Sequence, residues 1–456
     1  MRVIVQHPRG GGVVLALVLA ALVVGGRPAA AQGTMVQLDG SVNVGATQTT
    51  QATFVADPNS DKEDIPASSV STLYTELRPG IILMTGSPRL SWRFGYTFSG
   101  NISLAGEEIL AYSNQANGAL IAELTRFTNL TVTGSAAQGG TSFLLSQQPA
   151  DMGQAAIRAP GNPNLLSATL GEAVTWQVGR DLSLQHSLIG ALSAPQDALR
   201  DANTALNATL SLEKLFTRDT AGLEVHAGIS WLTSLQAGTG SYSTTTSALL
   251  GRWNHDFTYA WNGLVLGGVE EVFTDTGSKP LALLPTGSAS VRYSANTTSG
   301  SLELSHGTTT NLQVGSVALT DRLTARGSVT IDPIKARVLS FSAGALHNQP
   351  LGDVAAQVAA GTGNALQGDA GFTTSLARNL LATARYSVAY QFGQGSGIGA
   401  TLAHIFLIGV TASYNNTNRI VRPLPLRGVR VDGSDGKGPP DPDDKGFPVI
   451  DEPPKP

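Results

Sequence analysis

Residues 89 to 100 read R-L-S-W-R-F-G-Y-T-F-S-G, with Leu90, Trp92, Phe94, Tyr96 and Phe98 on one parity and Ser91, Arg93, Gly95, Thr97 and Ser99 on the other. A period of two is the signature of an extended strand with one apolar face. The pattern recurs. In M-V-Q-L-D-G-S-V-N-V-G-A (35 to 46) the apolar set is Val36, Leu38, Val42 and Val44. In 319 to 331 it is Leu319, Leu323, Ala325, Val329 and Ile331, and in 382 to 392 it is Ala382, Ala384, Tyr386, Val388, Tyr390 and Phe392. Strands of soluble proteins average about 5 to 6 residues, whereas a tilted membrane strand needs about 9 to 11. These segments are of the longer kind.

The connections alternate in length. Tight polar turns are expected at T-G-S-P (85 to 88), F-T-N (127 to 129), G-R-D (179 to 181), T-R-D-T (217 to 220), N-H-D-F (254 to 257), N-T-T-S (296 to 299), D-P-I-K (332 to 335) and A-R-N-L (377 to 380). Longer excursions at 47 to 70, 102 to 116, 141 to 164 and 348 to 366 separate them. A strand on each side of every connection gives about eighteen strands, with sixteen as the alternative. The expected fold is an all-β transmembrane antiparallel barrel with short periplasmic turns and longer extracellular loops. Trp92, Trp176, Phe216, Trp253, Phe257, Trp261 and Tyr293 lie close to tight turns, where a membrane-interface girdle places amphipathic rings.

Composition agrees. Only 14% of the 456 residues are charged and the net charge is -4, so no basic footprint points to nucleic acid. With no cysteine, neither disulfide nor thiolate chemistry is available. Residues 1 to 31 carry Arg2, His7 and Arg9, an apolar run from Val13 to Val24, and Ala29 and Ala31 before Gln32, the three regions of a secretory signal peptide. No later run is long and apolar enough for a spanning helix. Residues 32 to 415 form the expected barrel. Residues 416 to 456 hold nine of the 23 prolines, with Arg419, Arg422, Arg427 and Arg430 followed by Asp441, Asp443, Asp444, Asp451 and Glu452. They read as a disordered periplasmic tail.

From 32 to 415 the chain resembles bacterial outer-membrane β-barrel proteins of the porin type. The likeness rests on the leader, the alternating strands and the last segment, H-I-F-L-I-G-V-T-A-S-Y (404 to 414). That segment is similar to the family's terminal signal for the barrel assembly machinery, carried here by Gly409, then by Ala412 and Tyr414 on alternate positions, although about forty residues follow it. T-E-L-R-P-G-I (75 to 81) and P-R-L-S-W-R-F-G-Y (88 to 96) are loosely similar to barrels found with extracellular polysaccharide export. The resemblance implies an outer-membrane location and partners in outer-membrane lipid and the assembly machinery; the tail reads either as a flexible extension without a partner or as a docking segment for periplasmic polysaccharide-export components.

No catalytic constellation is legible. His186, His226, His255, His306, His347 and His404 lack metal-ligand spacing, and no cofactor is expected. G-S-G-I-G-A (395 to 400) has no helix after it and reads as an outer loop. Glu224 and His226 share a strand face and are read as a hydrogen-bonded pair on the lumen wall. With the apolar side outward, the inward parity carries Arg78, Arg93, Arg292, Arg322, Arg326 and Arg385 against Glu76, Glu213, Glu224 and Glu303, a tally leaning cationic. Such charges line and select in a pore. The expectation is a channel for hydrophilic solutes or, more narrowly, the exit for a secreted polysaccharide; a structural or adhesive barrel and a barrel enzyme are the alternatives. Glu172 and His186 fall on the apolar parity, where this reading has no place for them.

Overall fold

The computed structural model describes residues 35–52, 68–87, 89–106, 110–140, 164–196, 199–233, 241–275, 282–312, 316–351, 363–392 and 400–415. The expected leader, the tail and nearly all of G-S-G-I-G-A lie outside them. Eighteen strands follow in order: β1 (Met35–Ala52), β2 (Ser68–Gly86), β3 (Leu90–Gly106), β4 (Leu110–Thr125), β5 (Thr128–Gly140), β6 (Asn164–Gln177), β7 (Leu182–Pro195), β8 (Asn203–Leu215) and β9 (Asp219–Thr233). The second half comprises β10 (Ser241–Asp256), β11 (Trp261–Thr274), β12 (Ala282–Ser294), β13 (Thr298–Asn311), β14 (Ser316–Asp332), β15 (Arg337–Pro350), β16 (Gly363–Ala377), β17 (Leu380–Phe392) and β18 (Ala400–Asn415). Each is antiparallel to its sequence neighbours, and β1 pairs with β18 from Gln37↔Asn415 to Ala52↔Ala400. That last pairing closes the sheet, so no edge strand is left.

Register sets the tilt. One hydrogen-bonded row runs from Thr128 through Trp176, Leu184, Leu212, Leu223, Gly251, Gly267 and Gly287 to His306. It starts at the first residue of β5 and ends at the ninth of β13, climbing about one residue per strand away from the tight turns. With a rise of about 3.4 Å per residue and about 4.8 Å between strands, that is a tilt of roughly 35°. Eighteen strands at this tilt give a backbone radius of about 17 Å.

The two faces follow the sequence alternation. In β3, Trp92, Phe94 and Tyr96 stand opposite Thr85, Leu83 and Ile81 of β2 on the outer wall, while Arg93 stands opposite Met84 on the inner one. Exposed large apolar side chains mark the outer parity, among them Val42, Val44, Leu223, Val225, Leu302, Leu304, Phe406 and Ile408, with Val70 and Ile189 as exceptions on the inner one. The side facing inward carries buried polar groups such as Asn43, Glu76, Ser211, Glu213, Glu224 and Thr324. A soluble protein would reverse this arrangement, because exposing so large an apolar surface to water is unfavourable.

Two expected connections are corrected. The excursion at 102 to 116 is mostly strand, since β3 runs to Gly106 and β4 starts at Leu110. Ile102 and Leu104 keep their apolar faces outward there, and the chain leaves the ladder only at Gly106, whose φ of +93° suits glycine. The N-H-D-F turn moves to Phe257–Ala260, because Asn254 and Asp256 both continue the β10 ladder and accept hydrogen bonds from Asn262 Nδ2 at 2.8 and 2.7 Å.

Candidate functional site

The inner wall is the candidate site, and all ten predicted charges lie on it. Around Glu76 of β2, Asn43 Nδ2 donates at 2.9 Å and Arg78 Nε stands 3.7 Å away. Arg93 of β3 makes no hydrogen bond or ion pair among the described residues. Arg292 of β12 and Arg326 of β14 occupy one row with Ser301 between them; Arg322 stands one turn of the alternation above Thr324, to whose Oγ1 its Nε donates at 3.3 Å. Glu303 of β13 lies between Ser290 and Thr324.

Beyond Glu123 of β4 and Asp256 of β10, four further inward charges were missed. Arg252 of β10 bridges Glu213 of β8 and Glu224 of β9, with Nη1–Oε distances of 3.0 and 3.6 Å. A glycine makes this bridge possible: Gly222 occupies the row between Arg252 and Glu213, so no side chain stands in the way of the guanidinium. A Cβ at Gly222 would lie 2.6 Å from the Leu212 carbonyl and 3.2 Å from Glu213 Cγ. His226 shares a hydrogen bond with Glu224, as expected of a lumen-wall pair. Asp369 of β16 accepts from Arg385 Nη2 at 2.7 Å, Ser342 Oγ at 3.2 Å, Gln367 Nε2 at 3.1 Å and Ser387. Asp39 of β1 accepts from Ser413 and Gln37. Glu270 of β11 is the fourth, bound to Thr308.

These additions correct the cationic tally. Among the described residues the wall, short of the tight turns themselves, carries Arg78, Arg93, Arg252, Arg292, Arg322, Arg326 and Arg385 against Asp39, Glu76, Glu123, Glu213, Glu224, Glu270, Glu303 and Asp369. Seven arginines face eight carboxylates, and the two signs are segregated. Strands β8 to β11 hold three carboxylates for one arginine, and β12 to β14 hold three arginines for one carboxylate. Adjacent sectors of opposite sign create a lateral field along one side of the lumen wall rather than a net potential along its axis.

The mouth at the long-loop end is partly crossed by the β13–β14 hairpin. The β12–β13 ladder stops at Gly287↔His306, while β13 and β14 stay paired to Asn311↔Ser316. Beyond that point the hairpin leans inward. Glu270 of β11 accepts from Thr308 N at 3.1 Å and from Thr308 Oγ1, past the intervening β12. Ser230 Oγ of β9 lies 3.5 Å from Thr310 Oγ1, and Asn203 Nδ2 of β8 donates to the Leu312 carbonyl at 2.7 Å. Leu312 and Val317 are buried with Ala205, Leu232 and Tyr242, inward residues of β8, β9 and β10. The sequence carries no local signal for this, because the contacts join residues 80 and 109 apart.

At the tight-turn end, Trp92, Trp176, Trp253, Trp261 and Tyr293 all face outward. Trp261 packs on Tyr293 with ring centroids 4.8 Å apart, and Trp253 Nε1 donates to Asp219 at 3.0 Å. Trp231, absent from the predicted set, is exposed near the opposite end of β9. The three residues of the expected assembly signal do not share a face: Ala412 and Tyr414 point outward, while Gly409 points inward against Asn43. A Cβ on Gly409 would sit 1.7 Å from Asn43 Oδ1, so this glycine makes room for the Asn43–Glu76 contact. Among the described residues, no group of three or more histidine, aspartate and glutamate side chains is placed to hold a metal ion.

No family model matches the chain, and no curated protein matches it in sequence. Solved structures of similar architecture include a BenF-like porin from Pseudomonas fluorescens Pf-5, at 11% identity and a TM-score of 0.38, with 82% of this chain and 99% of that one covered. OpdK of Pseudomonas aeruginosa, solved with vanillate, gives 10% identity and 0.39 over 82% and 99%. The ferric enterobactin receptor of Pseudomonas aeruginosa gives 8% and 0.42 over 81% and 80%. The eighteen-strand barrel stands on its own register, independently of these likenesses.

Proposed function

We propose that this chain is an outer-membrane channel through which hydrophilic solutes diffuse. The observation that carries the reading is the inversion of the two faces: a closed sheet with an apolar outer wall and a charged, hydroxyl-rich inner one. A barrel of sixteen to eighteen strands encloses water unless it is plugged, and charges fixed on its wall bias which ions enter. The β13–β14 hairpin narrows the mouth, and the ten predicted charges with Arg252, Asp39, Glu270 and Asp369 line the path. The outward aromatics at the tight-turn end suit a membrane-interface girdle, and the shortness of those turns supports a periplasmic position for that end. Planar-bilayer recording of the purified protein tests the reading: stepwise ohmic conductance is expected, and membrane-inserted protein without any current refutes it.

Passage of a secreted polysaccharide is the narrower form of this proposal, resting only on the loose sequence likeness of residues 75 to 81 and 88 to 96 to export barrels. Reversible block of the current by long saccharide chains, but not by short ones, is its expected signature.

A further inference from the structure

Six histidines lie among the described residues, and five have hydrogen-bond partners there. His226 pairs with Glu224, His255 with Asp219 at 2.7 Å, His306 with Asp321 at 2.6 Å, His347 with Asn364 at 2.6 Å and His404 with Tyr386 at 2.8 Å. His186 has no partner among the described residues. Neither has Glu172.

Both sit on the outer wall. Glu172 of β6 stands opposite Val132 of β5 and Leu188 of β7, and His186 of β7 stands opposite Val174 of β6 and Leu210 of β8. An exposed carboxylate is thus set among leucine and valine, four residues above the girdle residue Trp176. At the barrel's tilt that is about 11 Å beyond the ring, inside the hydrocarbon. Ionisable groups at such depth are unfavourable unless paired, and a partner is the default expectation.

Resting on the reading of the chain as a membrane barrel, we infer that two copies associate through the β6–β7 face, the Glu172 carboxylate of each meeting the His186 imidazole of the other. Acid and base lie on the same patch, so the patch is complementary to itself, which a two-fold contact requires and a head-to-tail ring does not. Height permits the match. Glu172 and His186 are diagonal neighbours, and stepping one strand along the row raises the position by about 3 Å while stepping back two residues lowers it by about 6 Å. The two groups therefore differ by roughly 3 Å along the membrane normal, within the reach of their side chains. Rotation about an axis along that normal preserves height and brings one against the other.

The absence of cysteine allows a direct test. Full-length chains carrying Glu172→Cys and His186→Cys, separately tagged, are produced together, inserted in phospholipid vesicles and oxidised. A disulfide-linked heterodimer is expected in the mixture, several-fold above either variant alone and above Val410→Cys on β18. Equal cross-linking at position 410, or none in the mixture, overturns the inference. Subunit counting by photobleaching supplies the second arm: two steps for the unsubstituted protein and loss of most two-step spots for Glu172→Gln. Single steps for the unsubstituted protein overturn the inference. Vesicle flotation and current are read in parallel, so a conducting monomer defeats this inference alone, and protein that does not float defeats the membrane reading beneath it.

Discussion

Asn203→Ala probes the lean of the β13–β14 hairpin. Asn203 is 1% exposed; its Nδ2 donates to Leu312 O and its Oδ1 accepts from Thr233 N. Of these two bonds, the first joins the hairpin to the wall. Its loss leaves a buried carbonyl without that donor, which costs about 1 to 3 kcal/mol in the docked state. The undocked state exposes the carbonyl to water and bears no such cost. The ratio of docked to undocked hairpin then falls by about 5- to 150-fold. In single-channel recordings the variant is expected to show excursions to a higher conductance, lengthened in proportion. Asn207→Ala, on the same inward parity of β8 but farther from the rim, is the control and should record like the parent. If Asn203→Ala keeps the parent's conductance and noise, the hairpin does not narrow the mouth in the way the contacts imply.

Other consequences follow from the wall. Gly222→Val places a side chain between Arg252 and Glu213; the barrel should lose roughly 1 to 3 kcal/mol in urea titration followed by gel mobility, because buried carboxylates lose their cation. Arg252→Gln should move the reversal potential in a salt gradient toward cations, since Glu213 and Glu224 remain, and an unmoved potential would place this triad outside the ion path. Leu223→Arg on the outer wall should cost about 2 to 4 kcal/mol in the same titration, whereas Asn207→Arg on the inner wall should cost little.

The barrel was legible because membrane strands repeat one simple rule many times, so errors at single positions do not propagate. Leu90 to Phe98 gave the parity of β3 at once, and the same rule placed Arg93 inside. Strand limits were less legible. Ile102 and Leu104 continue the alternation beyond the point where polar neighbours suggested a loop, and Asn254 and Asp256 look like turn residues yet serve the inner face of β10. In the site, charges with an unambiguous parity were found. Glu270 was hidden because it adjoins Glu271, and only the ladder shows which of the two turns inward. Gly222 and Gly409 could not be recognised as spacers, since their role depends on Arg252 and Asn43 across the sheet. The inward hairpin was the least accessible feature: Leu312 and Val317 are ordinary apolar residues until strands some 80 to 109 positions away close the barrel around them.

The inversion of the two faces is tested most directly by a cysteine scan of β8 in a chain that has none of its own. Single cysteines from 205 to 212 are placed in the protein in vesicles and exposed to a membrane-impermeant, water-soluble thiol reagent. Labelling at 207 and 209, with protection at 206, 208, 210 and 212, is the predicted result; 205, covered by Leu312 and Val317, and 211, buried on the wall, label slowly. Uniform labelling, or alternation of the opposite phase, contradicts a barrel whose polar face lines water and whose apolar face meets lipid.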